Sequence, residues 1–267
     1  MNRSHALGEF LRARRALVRP RDVGLEPGGA RQVPGLRREE VALLAGMSTD
    51  YYVQLEQGRE KHPSSSVLDA LARVLRLDVD GRKHLRDLAS RETVLRDAIP
   101  ERARDALGDL VRRWLGVPAM LVTPWMDVVA RNDLADALYA GLSLRDNLAR
   151  MAFLDGDIAG FVPDTDQLAR CTVATLRAAA GPGPYAPRMA ELIGELSARS
   201  ASFRRLWARH DVHRKGSAVK RFRHPVAGDL TVHQHVLSLP EHPELQLWLY
   251  QADPGSASEE ALLRLAG

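Results

Sequence analysis

The chain has 267 residues, 45% of them hydrophobic, and a net charge of +4, a length suited to two domains rather than one. Its single cysteine, Cys171, excludes an internal disulfide and a cysteine-based zinc site, and reads as a small buried side chain. The longest apolar runs, such as residues 119–122, fall far short of the ~20 residues that span a bilayer; the start at Met1-Asn2-Arg3 lacks the apolar core of a signal peptide, so a cytoplasmic protein without a membrane anchor is expected.

The positive charge is not spread evenly. Residues 1–98 hold 18 of the 38 basic and 14 of the 34 acidic side chains, which leaves the remainder neutral. Within residues 1–38 nine arginines stand against three carboxylates, an electrostatic footprint suited to phosphate.

In chain order, Leu7, Phe10, Leu11 and Leu17 recur at helical spacing and predict a helix over 5–18. The Gly- and Pro-rich stretch 19–35 predicts an exposed loop. A second helix is expected over 36–45, with Gly46 at its end and Ser48 as the N-cap of a third over 48–57 that Gly58 closes. Helices over 65–75 and 80–96 complete a compact all-α domain at 1–98. Residues 99–112 read as a linker, and 113–267 as a second domain of mixed type. Strands are predicted at 119–123 and 126–130, then helices at 133–140, 143–153, 164–180 and 186–208. Three more strands follow at 217–224, 230–239 and 245–252, and a last helix at 258–265 with Ser258 as its cap. Leu245, Leu247 and Leu249 alternate with Trp248 and Tyr250, so both faces of the last strand are apolar and the sheet is expected to be covered on both sides.

The run from Leu36 to Gly58 has the form of two helices joined by a tight turn, the second presenting its N-terminal residues outward. Val41, Leu44, Tyr52 and Leu55 point to the core, which leaves Thr49, Asp50, Tyr51 and Gln54 outside. Gln54 suits adenine, Asp50 can accept from cytosine, and Tyr51 can meet a thymine methyl or a phosphate. Arg37, Arg38, Ser48, Gln57, Arg59 and Lys61 flank them as phosphate ligands. A double-stranded DNA operator is the expected partner, read by a homodimer because half-site readers gain affinity in pairs.

These residues resemble a known family. Residues 7–89 are similar to the XRE (Cro/repressor) helix-turn-helix family, whose fold is lambda-repressor-like. The run Gly35-Leu-Arg-Arg-Glu-Glu-Val-Ala, with Tyr51-Tyr52 and Leu55-Glu56-Gln57-Gly58-Arg59, resembles its MmyB-like branch. That resemblance implies that Glu56 pairs with an arginine of the first helix, best matched by Arg15, and that Gly58 closes the recognition helix beside a phosphate. It continues through Asp127-Val-Val-Ala-Arg-Asn132, Ser200-Ala-Ser-Phe203, Leu206-Trp-Ala-Arg-His-Asp-Val212 and Lys220-Arg-Phe-Arg-His-Pro-Val-Ala-Gly228, with departures at Arg131, Asp146 and Thr165. The resemblance implies an α+β, PAS-like C-terminal domain that holds a long-chain fatty acid or related lipid, with no other cofactor. Trp125, Phe153, Phe161, Leu206 and Phe222 suit the apolar lining, and Arg131, Asn132, His210 and His224 are the candidates for its polar end.

His210, His213, His224, His233 and His235 cluster in the sequence, and His233 and His235 share a strand face at a spacing a metal could use; structural or surface roles are the expectation. His210-Asp211 with Ser202 could be drawn as a triad, but no nucleophile elbow, phosphate loop or metal motif accompanies it, and catalysis is not expected. The competing class is an interaction module that keeps the DNA-binding fold while its second domain only dimerises.

Overall fold

A computed structural model describes residues 3–25, 34–60, 63–89, 101–114, 116–180, 186–211, 217–242 and 244–266. The N-terminal domain is built from α1 (Arg3–Leu17), a 3-10 turn (Pro20–Val23), α2 (Arg38–Ala45), α3 (Thr49–Glu56), α4 (Ser65–Val74) and α5 (Val79–Ala89). Gly46 ends α2 in the left-handed region at φ 70, and the Ser48 hydroxyl accepts from Tyr51 N to start α3, as the sequence predicts. Leu7, Phe10, Leu11, Leu36, Val41, Tyr52, Leu55, Leu71 and Leu85 fill one core. Gly8 lets α1 cross α3 closely. A Cβ there would stand 2.2 Å from the Glu56 carbonyl oxygen.

The C-terminal domain begins earlier than the sequence suggests. Residues 101–112, expected as a linker, form α6 (Glu101–Arg112). Its charged face hides a narrow apolar stripe: Ala103, Leu107 and Val111 pack with Ala119, Leu121, Ala130 and Leu247. Then come β1 (Ala119–Val122), β2 (Val128–Arg131), α7 (Asp133–Leu138), α8 (Leu148–Leu154), α9 (Ile158–Phe161), α10 (Thr165–Ala179), α11 (Ala186–Arg199), α12 (Ala201–Trp207), β3 (Ala218–His224), β4 (Gly228–Ser238), β5 (Gln246–Gln251) and α13 (Ala257–Ala266). The strands pair in the order β2-β1-β5-β4-β3, antiparallel throughout.

Several expected helices are recut by polar side chains. Asn147 accepts from Ala149 N and Arg150 N, so the helix expected from 143 starts at Leu148. Ser200, in extended conformation, accepts from Phe203 N and divides the helix expected over 186–208 into two. The last helix is capped by Ser256, which accepts from Glu259 N, whereas the Ser258 hydroxyl accepts from Thr231 N of β4. Residues 90–96 of the predicted fifth helix lie outside the described residues.

Two layers flank the sheet. Its inner face, through Met120, Val122, Phe222, Leu230, Val232, Trp248 and Tyr250, packs into one core with Leu138, Phe161, Leu176, Leu192, Phe203 and Leu262. On the outer face α6 lies over β1 and β2. The expected cover is therefore only half present: Val219 on β3 and Leu237 on β4 are 54% and 45% exposed. Strand β3 is the outer edge, with Arg221 and Arg223 also exposed.

The domains meet along α1 and α10. Ala178 packs against the N-terminal core. Arg14 Nη1 donates to Asp211 Oδ1 at 2.8 Å. Arg177, 8% exposed, lies with its guanidinium carbon 3.5 Å above the centre of the Trp207 ring and donates to the Trp207 carbonyl. Burial brings the Arg177 pKa down to about 10.

Candidate nucleic-acid interface and ligand site

The recognition helix is fixed from behind by one buried carboxylate. Glu56 is 2% exposed; Arg15 Nε donates to its Oε1 at 2.6 Å and Arg38 Nε to its Oε2 at 2.7 Å. Arg15 also donates to the Leu36 carbonyl at 2.7 Å, tying α1 to the start of α2. Burial works to raise the Glu56 carboxyl, but the hydrogen bonds from the two arginines outweigh it and hold its pKa below the usual carboxylate value. The pairing of Glu56 with Arg15 implied by the family resemblance is the pairing found.

The opposite side of α3 faces solvent. Thr49, Asp50 and Gln54 are exposed and Tyr51 is half-exposed, so the four residues expected to meet bases share one accessible surface. Around it, Ser48, Arg38, Gln57 and Arg59 are exposed and Arg37 is half-exposed. Arg38 has a double position, since its Nε is committed to Glu56 while the side chain remains 46% exposed. Ser48 uses its hydroxyl as a cap. Gly58 closes the helix in the left-handed region at φ 69. Lys61 lies outside the described residues.

In the second domain the five apolar candidates fall in one place. Trp125, Phe161 and Phe222 are buried in the core under the sheet, and Phe153 and Leu206 pack against it. Tyr139 on α7's C-terminal end joins them, its ring stacked with Phe161 and edge-on to Phe222.

The polar candidates behave differently, because local backbone groups already use them. Asn132 caps α7: its Oδ1 accepts from Ala119 N and Ala135 N, and its Nδ2 donates to the Trp114 and Val117 carbonyls, both at 2.8 Å. Arg131 pairs with Asp136 and donates to the Arg145 carbonyl. His224 staples the β3–β4 turn. Its Nδ1 accepts from Val226 N and Ala227 N, so Nε2 carries the proton and donates to the Ala137 carbonyl at 2.9 Å. His210 sits at the domain junction, in a cavity of about 270 Å³ lined also by Phe10, Arg14, Asp78, Cys171 and Asp211. Burial, then Arg177, His84 and Arg14, depress its pKa to about 3, so it is neutral.

The other histidines are dispersed. His233 meets Asp253 at 3.0 Å and the His235 ring lies 3.4 Å from the Ser217 hydroxyl; His213 lies outside the described residues. The Ser202 hydroxyl bonds the Ser200 hydroxyl at 2.9 Å, which leaves the triad drawn on His210 and Asp211 without its third member. Of the departures from the family pattern, Asp146 pairs with Arg150 at 3.0 Å, and Thr165 opens α10 behind its cap Asp164.

Sequence reasoning passed over three polar side chains of this core. Tyr139 Oη donates to Tyr250 Oη at 2.8 Å, and Gln234 Nε2 donates to the same oxygen at 3.0 Å. Gln234 is 0% exposed, and its Oε1 has no partner among the described residues. Burial pushes both phenols well above their usual value, so they stay protonated. The available signal was the even alternation of β4 and β5, which puts Gln234 and Tyr250 on the inner face.

No helix of the described residues is long and apolar enough to cross a membrane. A search of curated proteins finds no match to the chain. Family profiles match at both ends: a helix-turn-helix domain over residues 6–85 and an MmyB-like transcription regulator ligand binding domain over residues 103–266. The second match covers more than half of the sequence, and the chain belongs to the family of MmyB-like transcription regulators, with a helix-turn-helix domain ahead of the ligand-binding domain.

Proposed function

We propose that this regulator binds a specific DNA operator as a homodimer, and that an apolar, acyl-type ligand held under the C-terminal sheet controls that binding. One observation carries the reading. Successive residues of α1 face the two halves of the molecule: Arg15 is bonded to Glu56 of the recognition helix, and Arg14 to Asp211 beside the sensor's α12. A shift of α12 on ligand binding is therefore felt by the element that seats α3. Thr49, Asp50, Tyr51 and Gln54 read bases, and Arg37, Arg38, Ser48, Gln57, Arg59 and Lys61 hold phosphates. Trp125, Phe153, Phe161, Leu206 and Phe222 enclose the chain of the ligand.

A ligand regulates only if the DNA-competent and incompetent arrangements bind it unequally. Genomic footprinting with delipidated and fatty-acid-loaded protein tests both halves of the proposal. Protection of paired half-sites about one helical turn apart is expected, with operator affinity changing severalfold on loading, a coupling on the order of 1 kcal/mol or more. Absence of any protected site sinks the DNA reading; equal affinity in both states sinks the sensor reading. Sedimentation at increasing concentration tests the dimer.

A further inference from the structure

The junction of the two domains holds a cleft that neither the base-reading surface nor the sheet core uses. Its volume is about 270 Å³, room for a small organic molecule. The floor is apolar, from Phe10 of α1 and Ala174 of α10, both buried. Asp78, just ahead of α5, and Arg170 of α10 line it as exposed residues at its mouth, and each domain thus supplies part of the wall.

This junction is short of hydrogen-bond acceptors. Arg14 gives Nη1 to Asp211 Oδ1, yet its buried Nε has no partner among the described residues. Arg177, one helical turn beyond Ala174, has the same deficit at Nε; it lies over the Trp207 ring and donates to the Trp207 carbonyl, not to a carboxylate. Glu9 acts on Arg177 only through space and pairs with His5 at 3.3 Å. Arg170 makes no hydrogen bond or ion pair with a described residue. The carboxylates of the lining, by contrast, are largely engaged. Asp211 is shared by Arg14 and Arg209, and Asp78 Oδ1 accepts from Gly81 N at 2.8 Å. His210, in the left-handed region at φ 52, is held in a conformation that strains a residue with a Cβ. Its neutral ring keeps one N–H to donate. Donors left unmatched in a buried setting are costly, and a group that only accepts relieves them.

We propose that this cleft is a second ligand site, separate from the one under the sheet, and that it takes a small carboxylic acid in its anionic form. Arg170 and the His210 ring hold the carboxylate, with Arg14 beside them, and the body of the acid lies on Phe10 and Ala174. A carboxylate brings two oxygens and no donor, the complement of an arginine edge. Asp78 at the mouth opposes the acid by charge and so disfavours dianions. Since α1 carries Arg14 into the cleft and Arg15 onto Glu56, an acid bound there joins the domains at the element that seats the recognition helix. The site does not depend on the acyl-ligand reading.

The test titrates benzoate and its neutral counterpart benzamide into delipidated full-length protein by calorimetry. The wild type is expected to prefer benzoate by about tenfold. Arg170→Met should abolish that preference by weakening the acid alone. Asp78→Asn, which keeps the oxygen that accepts from Gly81 N, should strengthen benzoate severalfold and leave benzamide unchanged. Opposite shifts of this kind do not arise from a merely structural role, and melting temperatures near that of the wild type report that both variants fold. Cys171, the single cysteine of the chain, is half-buried and lines the cleft, which gives a local readout. Saturating benzoate should slow its alkylation by iodoacetamide severalfold in the wild type. Tetradecanoate added first should leave benzoate binding unchanged. Equal binding of acid and amide, a preference that survives Arg170→Met, unaltered alkylation of Cys171, or displacement of benzoate by tetradecanoate overturns the proposal.

Discussion

In the N-terminal domain the buried Glu56 carboxylate meets Arg15 at 2.6 Å and Arg38 at 2.7 Å. In the C-terminal domain the equally buried Gln234 amide reaches one tyrosine and leaves an atom unmatched. Both are polar groups taken out of water, and the penalty for each depends on its partners. In the first, both carboxylate oxygens are engaged by arginines of the same domain, which holds a helix in place. The second links one strand's glutamine to two tyrosines and leaves the Gln234 Oε1 without a partner among the described residues. The contrast separates a buried polar group whose partners are supplied by neighbouring elements from one left with an unmatched atom.

Breaking the closed network should give the largest effect. Glu56→Gln keeps the volume but leaves Arg15, whose side chain is 13% exposed, without its carboxylate; a loss of about 3–5 kcal/mol is expected for a buried pair cut on one side. Urea unfolding followed by helix content measures it, and a loss of only about 1 kcal/mol would place the pair among surface ion pairs. The same carboxylate sets an acid limit. Its folded pKa lies below the usual value, so its stabilisation is complete above about pH 4.3 and disappears as the pH falls through the folded value. In Glu56→Gln that acid limb should flatten.

Gly8→Ala attacks the same helix crossing through sterics. The added methyl meets the Glu56 carbonyl, a backbone atom that cannot swing aside, and about 1–3 kcal/mol of stability should be lost, with DNA affinity falling in parallel. A melting temperature equal to that of the wild type would show that α1 and α3 can part without harm. Gln54→Ala leaves the scaffold alone and tests its outer face: specific binding should weaken by about 1–3 kcal/mol, with less loss on random DNA. Arg37→Ala should instead weaken both kinds of DNA and flatten the salt dependence by about one unit. Equal losses for Gln54→Ala on the two DNAs would remove Gln54 from the base-reading set.

A small change in stability is expected at the Arg14–Asp211 contact between the two domains. Asp211 is partly exposed and shared by Arg14 and Arg209, so Asp211→Asn should cost under about 1 kcal/mol of folding. Its effect should appear as a reduced response of operator affinity to added fatty acid. An undiminished response would move the coupling away from Arg14.

What could be read from the sequence follows the range of the interaction. Caps and helix ends are local, and Gly46, Ser48 and Gly58 announced α2 and α3 correctly. The exposed set Thr49, Asp50 and Gln54 followed from helical periodicity alone. Helix α6 was obscured because its apolar stripe is interrupted by arginines and aspartates, and only the sheet beneath it makes Val111 and Leu107 a core. The structural roles of Asn132 and His224 were hidden for a related reason. A polar residue inside a motif looks available for a ligand until the carbonyls and amides that engage it, some from distant positions such as Ala137, are seen. The hydrogen-bonded set of Gln234, Tyr250 and Tyr139 draws on two strands and a helix end, and no window along the chain contains it.

The outer edge of the sheet bears on how two copies of the chain could meet. Strand β3 ends the sheet with a row of unpaired backbone groups, and such a row invites another strand to add to it. Arg221 and Arg223 alternate with Phe222 along it and point away from the core. If a second copy joined through the same strand about a two-fold axis, guanidinium groups would be set facing guanidinium groups, which opposes the pairing. The edge thus disfavours a two-fold dimer paired through β3, while Val219 and Leu237 beside it stay exposed on the outer face.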